Sequence, residues 1–215
     1  MKKTLLAMVV AVLSATSVMA QSEAGSAYIK PMVGGTLSTL TKLDDTKMKL
    51  GLVGGAEFGY QVSDQFAVTA GALVTMQGAK SKKMTFMDDS GISVTGDGKY
   101  SMTYLNIPVM ANYYVVPGLA IKAGIQPGFL LSNKITATYK VGGAEMDFES
   151  TSTEGFNKFY LSIPLGLSYE FDDFVIDARY NLGLSSIYKS KLNDLYGVKP
   201  KNSVIMLTVG YKIPL

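Results

Sequence analysis

The sequence predicts an all-β chain, an eight-stranded antiparallel, up-and-down transmembrane β-barrel. Three observations predict it. Hydrophobicity alternates with period 2 over eight runs of roughly a dozen residues. The connections between those runs alternate between tight turns and long polar loops. The first twenty residues have the form of a secretory leader, which takes the remainder out of the cytoplasm.

The leader reads MKKTLLAMVVAVLSATSVMA. Lys2 and Lys3 form its positive start, Thr4 to Leu13 its apolar core, and Val18 and Ala20 the small residues before a cut at Gln21. A retained membrane anchor, the alternative, wants about 20 apolar residues. The expected organisation is therefore a signal peptide over residues 1–20 and a barrel domain over 21–215. The chain has no Cys, which excludes a lipoprotein anchor, disulfides and thiol chemistry. Its formal net charge of +3 gives no footprint for nucleic acid.

The eight predicted strands are Ala27–Ser38, Leu50–Val62, Phe66–Gln77, Tyr100–Tyr114, Leu119–Ser132, Phe159–Phe171, Phe174–Ile187 and Ser203–Leu215. A tilted membrane-spanning strand needs about 9–11 residues, and each run meets that length. Ser63-Asp64-Gln65, Pro117-Gly118 and Asp172-Asp173 supply the short turns. The other connections are long, and two of them (83–95 and 135–150) carry enough alternation to form hairpins of their own.

Each run has two faces. In the second, Leu50, Leu52, Ala56, Phe58, Tyr60 and Val62 oppose Val53, Glu57 and Gln61; in the seventh, Phe174, Ile176, Tyr180 and Leu182 oppose Asp177, Arg179 and Asn181. Over all eight, the charged residues collect on the polar face: Lys30, Glu57, Lys122, Glu170, Asp177, Arg179 and Lys212. A Lys or Arg facing lipid at mid-bilayer costs about 2–4 kcal/mol, which accounts for their exclusion from the apolar face. Alternation alone also suits a soluble sandwich or a lipocalin-like carrier with its apolar face inward. Aromatic placement favours the membrane. Tyr60, Phe66, Tyr113, Tyr169, Phe171, Phe174 and Tyr211 all lie on the apolar face at the short-turn end, as an interfacial girdle does.

The stretch YLNIPVMANYY (104–114) has a partial repeat in YLSIPLGLSYEF (160–171). Both copies put Leu and Ile on the apolar face and Tyr and Pro (Tyr104, Pro108; Tyr160, Pro164) on the inner one. The repeat therefore reads as a recurring strand element rather than a duplicated active site. Pro108, Pro127 and Pro164 remove ladder hydrogen bonds, so a bend or bulge is expected at their level.

An eight-stranded barrel has an interior just wide enough for side chains to fill it. Four positive and three negative inner groups then read as a paired plug, with carboxylates Glu57, Glu170 or Asp177 against Lys122, Arg179 or Lys212. A narrow ion path is the alternative. No catalytic residue is expected, because the chain has no His to act as the base of a Ser-centred site, and Ser132, Ser185 and Ser186 lack a partner of that type. No cofactor or metal site is expected either. Asp88-Asp89-Ser90-Gly91 does not follow EF-hand spacing and reads as a turn. Lys80, Lys82 and Lys83 fall in a predicted outer loop, where they are either a solvated cluster or contacts for lipopolysaccharide phosphates.

YLxIP, GIQPGFLLS (124–132) and RYNLGLSSI (179–187) together resemble the outer-membrane β-barrel family that includes PorT-like proteins, over essentially the whole chain after the leader. The resemblance implies a barrel of the OmpX size class in a Gram-negative outer membrane, with periplasmic termini and extracellular long loops. It carries over no catalytic residue. Such barrels commonly end in an aromatic residue, whereas this sequence ends Tyr211-Lys212-Ile213-Pro214-Leu215. The expected partners are outer-membrane lipid and lipopolysaccharide, the outer-membrane assembly machinery, and an unidentified extracellular or secretion partner. The expected role is non-enzymatic: loops for binding, adhesion or envelope integrity. An accessory part in protein secretion, or a narrow small-solute channel, stands as the alternative.

Overall fold

The computed structural model describes residues 23–42, 46–87, 93–141 and 144–215. The predicted leader and the Asp88–Gly91 segment lie outside the described residues. The strands are β1 (Ala27–Thr41), β2 (Thr46–Ser63), β3 (Phe66–Ser81), β4 (Met84–Met87), β5 (Ser93–Asn106), β6 (Val109–Val116), β7 (Leu119–Val141), β8 (Ala144–Thr151), β9 (Phe159–Phe171), β10 (Phe174–Gly183), β11 (Lys201–Tyr211) and β12 (Ile213–Pro214). One short helix, α1 (Ser190–Tyr196), precedes β11.

The sheet closes on itself. β1 pairs with β2 on one side and with β11 on the other, and the path between them runs β2–β3–β5/β6–β7–β9–β10–β11. β5 and β6 occupy one stave, interrupted at Ile107-Pro108, so the ring has eight staves, all antiparallel to their neighbours. Closure removes the edges that an open sheet would expose. β12 continues the last stave against the start of β1, with Tyr28 opposite Pro214 and Ile29 opposite Ile213.

Of the three prolines expected to disturb the sheet, Pro108 breaks its strand, where the ring has no N–H to give, and at Pro164 the β7–β9 pairing skips from Ala123–Leu165 to Gln126–Ser162. The ladder is carried past the break by the Gly71 N–H donating to the Pro108 carbonyl at 3.0 Å and the Ile107 N–H donating to the Pro127 carbonyl at 2.9 Å. Pro127 and Pro164 remain inside β7 and β9, opposite Leu161 and Asn181. Other boundaries differ from the sequence expectation for identifiable reasons. β2, β3, β5 and β7 run past their predicted long-loop ends through Lys47, Lys80, Lys99 and Lys134, because strand pairing continues after the apolar pattern stops. Lys80 is accordingly a strand residue and not a loop residue. β10 stops at Gly183 rather than Ile187, and Ile187 turns inward instead.

The question of which face is inside is answered by exposure. Leu50, Leu52, Val33 and Leu207 are 75%, 64%, 66% and 57% exposed, and similar residues ring every stave. Lys30, Glu57, Lys122, Asp177 and Arg179 are each 1–2% exposed. A monomer in water rarely exposes contiguous apolar patches beyond a few hundred Å². An unbroken apolar exterior around a charged interior is the arrangement that hydrocarbon requires, and it excludes the lipocalin-like alternative.

Candidate functional site

The seven inner charges predicted from the sequence converge in two clusters at the short-turn half of the lumen. Alternation aims them there: Glu57 on β2, Lys122 on β7, and Asp177 and Arg179 on β10 all point inward, with Lys30 on β1 directly opposite Glu57 in register. The Arg179 guanidinium donates from Nε and Nη2 to the two Asp177 oxygens, both at 2.7 Å, and from Nη1 to Glu57 Oε1 at 2.5 Å. Lys30 Nζ lies 2.9 Å from Glu57 Oε2, and Lys122 Nζ donates to Asp177 Oδ2. Three cations and two carboxylates thus share one buried compartment. The planar fork of arginine suits the bridging position because it binds both carboxylates at once.

The second cluster lies beside it. Lys212 Nζ donates to Glu170 Oε2 at 2.6 Å, and the Tyr114 hydroxyl donates to Glu170 Oε1 at 2.7 Å. The same ammonium stands 4.4 Å from the centre of the Tyr28 ring, within cation–π range. Tyr28 finds its space because Gly59 sits directly opposite on β2; a Cβ there would lie 2.1 Å from the ring.

Above the charges the lumen is filled by a neutral hydrogen-bonded layer centred on the repeated motif. The two repeat tyrosines meet: the Tyr104 and Tyr160 rings are 4.7 Å apart, edge to face. The Tyr160 hydroxyl donates to Asn106 Oδ1 at 2.8 Å and accepts from Gln77 Nε2 at 3.3 Å. Asn106 Nδ2 donates to Thr75 Oγ1 at 2.7 Å. Gly128 faces Tyr160 across the β7–β9 pairing, and a Cβ would meet the ring at 2.0 Å. Copies of YLxIP in neighbouring regions of the ring thus place one aromatic each at the same height. The repeat encodes lumen packing.

The long-loop end carries an apolar cap. Leu40, Ala79, Met102, Leu130, Phe156, Ile187 and Tyr188 pack with Tyr104 and Tyr160 into one buried cluster. Phe156 and Tyr188 come from the connections flanking β9 and β10; they form an isolated bridge and an edge-to-face ring pair at 5.4 Å. Sequence reading missed these residues because they lie outside the alternating runs. The apolar side chains within otherwise polar loops were the available signal.

Past the cap, β4, β5, β7 and β8 continue as a four-stranded antiparallel sheet that projects beyond the ring. One face is charged and paired: Lys134–Glu149 at 2.8 Å, Lys140–Glu145 at 2.5 Å, and the Thr138 hydroxyl donating to Asp147 at 2.6 Å. The hydrogen bond and charge of Glu145 hold the Lys140 ammonium above its ordinary range. The other face presents Tyr139, Met146 and Phe148, all exposed, with the Tyr139 and Phe148 rings 5.9 Å apart. β8 is exposed along its whole length and, among the described residues, pairs only with β7, which leaves its second edge open to them.

The predicted aromatic residues occupy the exterior at the short-turn end. Phe171 stacks on Phe174 at 5.7 Å, Phe174 meets Tyr211 at 5.1 Å, and the Tyr211 hydroxyl donates to Asp173 at 3.0 Å. Phe66 lies opposite Tyr113 in register, and Tyr60 and Tyr169 stand on the same outer face.

The family model described as an outer membrane protein beta-barrel domain matches residues 19–189. Comparison with curated proteins finds no match. Similar solved structures include Ail, the attachment invasion locus protein of Yersinia pestis, at 18% identity over 88% of this chain and 99% of that one, with a TM-score of 0.45. They also include Neisserial surface protein A at 12% identity, 87% and 97% coverage and a TM-score of 0.46. OprG from Pseudomonas aeruginosa is 18% identical over 90% of this chain and 98% of that one, with a TM-score of 0.39. At these identities and scores the likeness says nothing about what this chain binds.

Proposed function

This chain belongs to the outer membrane protein beta-barrel domain family, and from that premise we propose that it is a non-enzymatic, non-conducting surface barrel whose projecting sheet is a binding platform. The reading places the termini in the periplasm and the long loops outside the cell, with residues 1–20 removed as a leader. One observation carries it. The lumen is filled at three levels by charges, hydrogen-bonded amides and tyrosines, and an apolar cap, while β8 beyond the cap offers an unpaired strand edge and an exposed Tyr139–Met146–Phe148 face. An open edge of this kind accepts a partner strand through main-chain hydrogen bonds. A channel reading would need a wet path, and these layers leave side chains where it would run.

The PorT-like resemblance rests on motifs that pack the lumen, so an accessory secretion role stands on fold analogy alone. The platform reading is tested by shortening β7–β8 to a turn joining Asn133 to Ser152, with the barrel intact. Cells carrying the shortened chain should lose surface binding or adhesion while keeping normal outer-membrane levels. Unchanged binding and envelope phenotypes would contradict it.

A further inference from the structure

β8 ends the projecting sheet among the described residues, and its sequence sorts by face. It reads AEMDFEST, with three acids and no base. Glu145, Asp147 and Glu149 lie on one face, and Met146 and Phe148 lie on the other. Both sets are exposed. Across the pairing, β7 answers two of the acids with ammonium groups, Lys140 for Glu145 and Lys134 for Glu149. Asp147 receives only the Thr138 hydroxyl, and among the described residues no cation forms an ion pair with it. Exposed pairs of this kind are weak, so the acids are readily shared with a second row of cations.

A strand laid along the free edge continues both faces, so each of its side chains meets one of these two rows. Charge decides which strand that is. A second copy of β8 fails in either orientation. Copies standing upright in one membrane are related by an axis along its normal and would pair β8 in parallel. That operation turns one sheet over and sets the acidic row beside the neighbour's Met146 and Phe148. Copies facing each other from two membranes would pair antiparallel, with acid opposite acid, which is destabilising. The acidic row thus guards the edge against self-association, as charge on an edge strand commonly does. The same row favours a strand with cations at every second position. Met146 and Phe148 favour apolar side chains at the positions between.

We propose that the free edge of β8 takes an extended polypeptide segment in which Lys or Arg alternates with apolar residues. Its cations lie opposite Glu145, Asp147 and Glu149, and its apolar side chains lie beside Met146 and Phe148. The inference rests on the platform reading and specifies the partner. The full chain, folded in a zwitterionic detergent, is titrated with three fluorescent peptides of the length of β8. One alternates lysine with valine, one alternates glutamate with valine, and one holds the same lysines and valines in two blocks. Each charge pair is worth about two- to fivefold, so wild type should bind the alternating lysine peptide roughly 10- to 100-fold tighter than the glutamate one. The block peptide should also bind more weakly. Binding should slow amide hydrogen exchange over residues 144–151, the mark of main-chain pairing. Glu145→Gln/Asp147→Asn/Glu149→Gln should weaken binding of the alternating lysine peptide by the same roughly 10- to 100-fold. Lys134→Gln/Lys140→Gln, which releases the acids from β7, should tighten it about twofold, a gain that a misfolded sheet would not give.

Equal binding of the lysine and glutamate peptides, or of the alternating and block forms, overturns the proposal and leaves the platform reading standing. Self-association of the pure chain through β8, with no peptide bound, makes a second copy the occupant and overturns it likewise. Undiminished binding of the lysine peptide to the chain shortened between Asn133 and Ser152 moves the site off the sheet and overturns both readings.

Discussion

Asp177→Asn removes one charge from the lumen without changing its shape, and its cost follows from a count of the cluster. Lys30, Lys122 and Arg179 share Glu57 and Asp177, so the compartment holds three positive and two negative groups. With Asn at 177, three cations surround Glu57 alone. Arg179 then loses the acceptor charge of two of its three hydrogen bonds, and Lys122 loses its partner. Removing one member of a buried ionic set costs about 3–5 kcal/mol, because the remaining charge stays buried without its partner. Arg179→Met is milder on the same count, since it leaves Lys30 with Glu57 and Lys122 with Asp177. Pairing Asp177→Asn with Lys122→Met restores the original net charge and should recover about 1–3 kcal/mol, the coupling expected of residues in one network. The chain has no Trp, so folding into lipid vesicles is followed by circular dichroism and by the gel mobility of unheated samples across a urea series. An Asp177→Asn variant within about 1 kcal/mol of wild type, or a double variant no more stable than the single, would refute the reasoning.

Further outcomes follow from other layers. Gly128→Ala should destabilise the barrel by about 1–3 kcal/mol in the same titration, because its Cβ would press on the Tyr160 ring, and Tyr160→Phe should cost roughly 1–2 kcal/mol by stranding Asn106. Leu207→Arg, which puts a charge on the exterior band, should cost about 2–4 kcal/mol and slow insertion into vesicles. Planar bilayers containing the folded protein should show no steady conductance, and Phe156→Ala, which opens only the cap, should remain closed because the charged layer beneath it is intact.

Much of this fold was legible because a barrel imposes a two-sided rule on every strand. Glu57, Asp177 and Arg179 interrupt an otherwise apolar pattern on alternate positions, and that interruption marks the lumen in the sequence itself. The strand ends beyond the apolar band were not legible, since past Met76 the pairing of Lys80 with Lys99 needs no hydrophobic signal. The disturbance at Pro108 and at Pro164 was foreseeable, but that β7 and β9 continue through Pro127 and Pro164 was not, because the other neighbouring stave still pairs with them there. The cap was hidden for another reason: Phe156, Ile187 and Tyr188 are brought together by loop closure, which has no sequence period. The meeting of Tyr104 with Tyr160 depends on which staves become neighbours, information that a repeat alone does not contain.

In a membrane barrel, hydrocarbon covers the surface that carries Leu52, Ile163 and Leu207, and the polar alternates turn to the interior. Nitroxide labels at these three positions, read one at a time in native outer membranes for collisions with oxygen and with a water-soluble nickel chelate, measure this directly. All three should show high oxygen and low nickel accessibility, with immobilised spectra for labels at inward Thr75 and Thr208. Nickel accessibility at Leu52, Ile163 and Leu207 equal to that of a label at exposed Lys191 would contradict it.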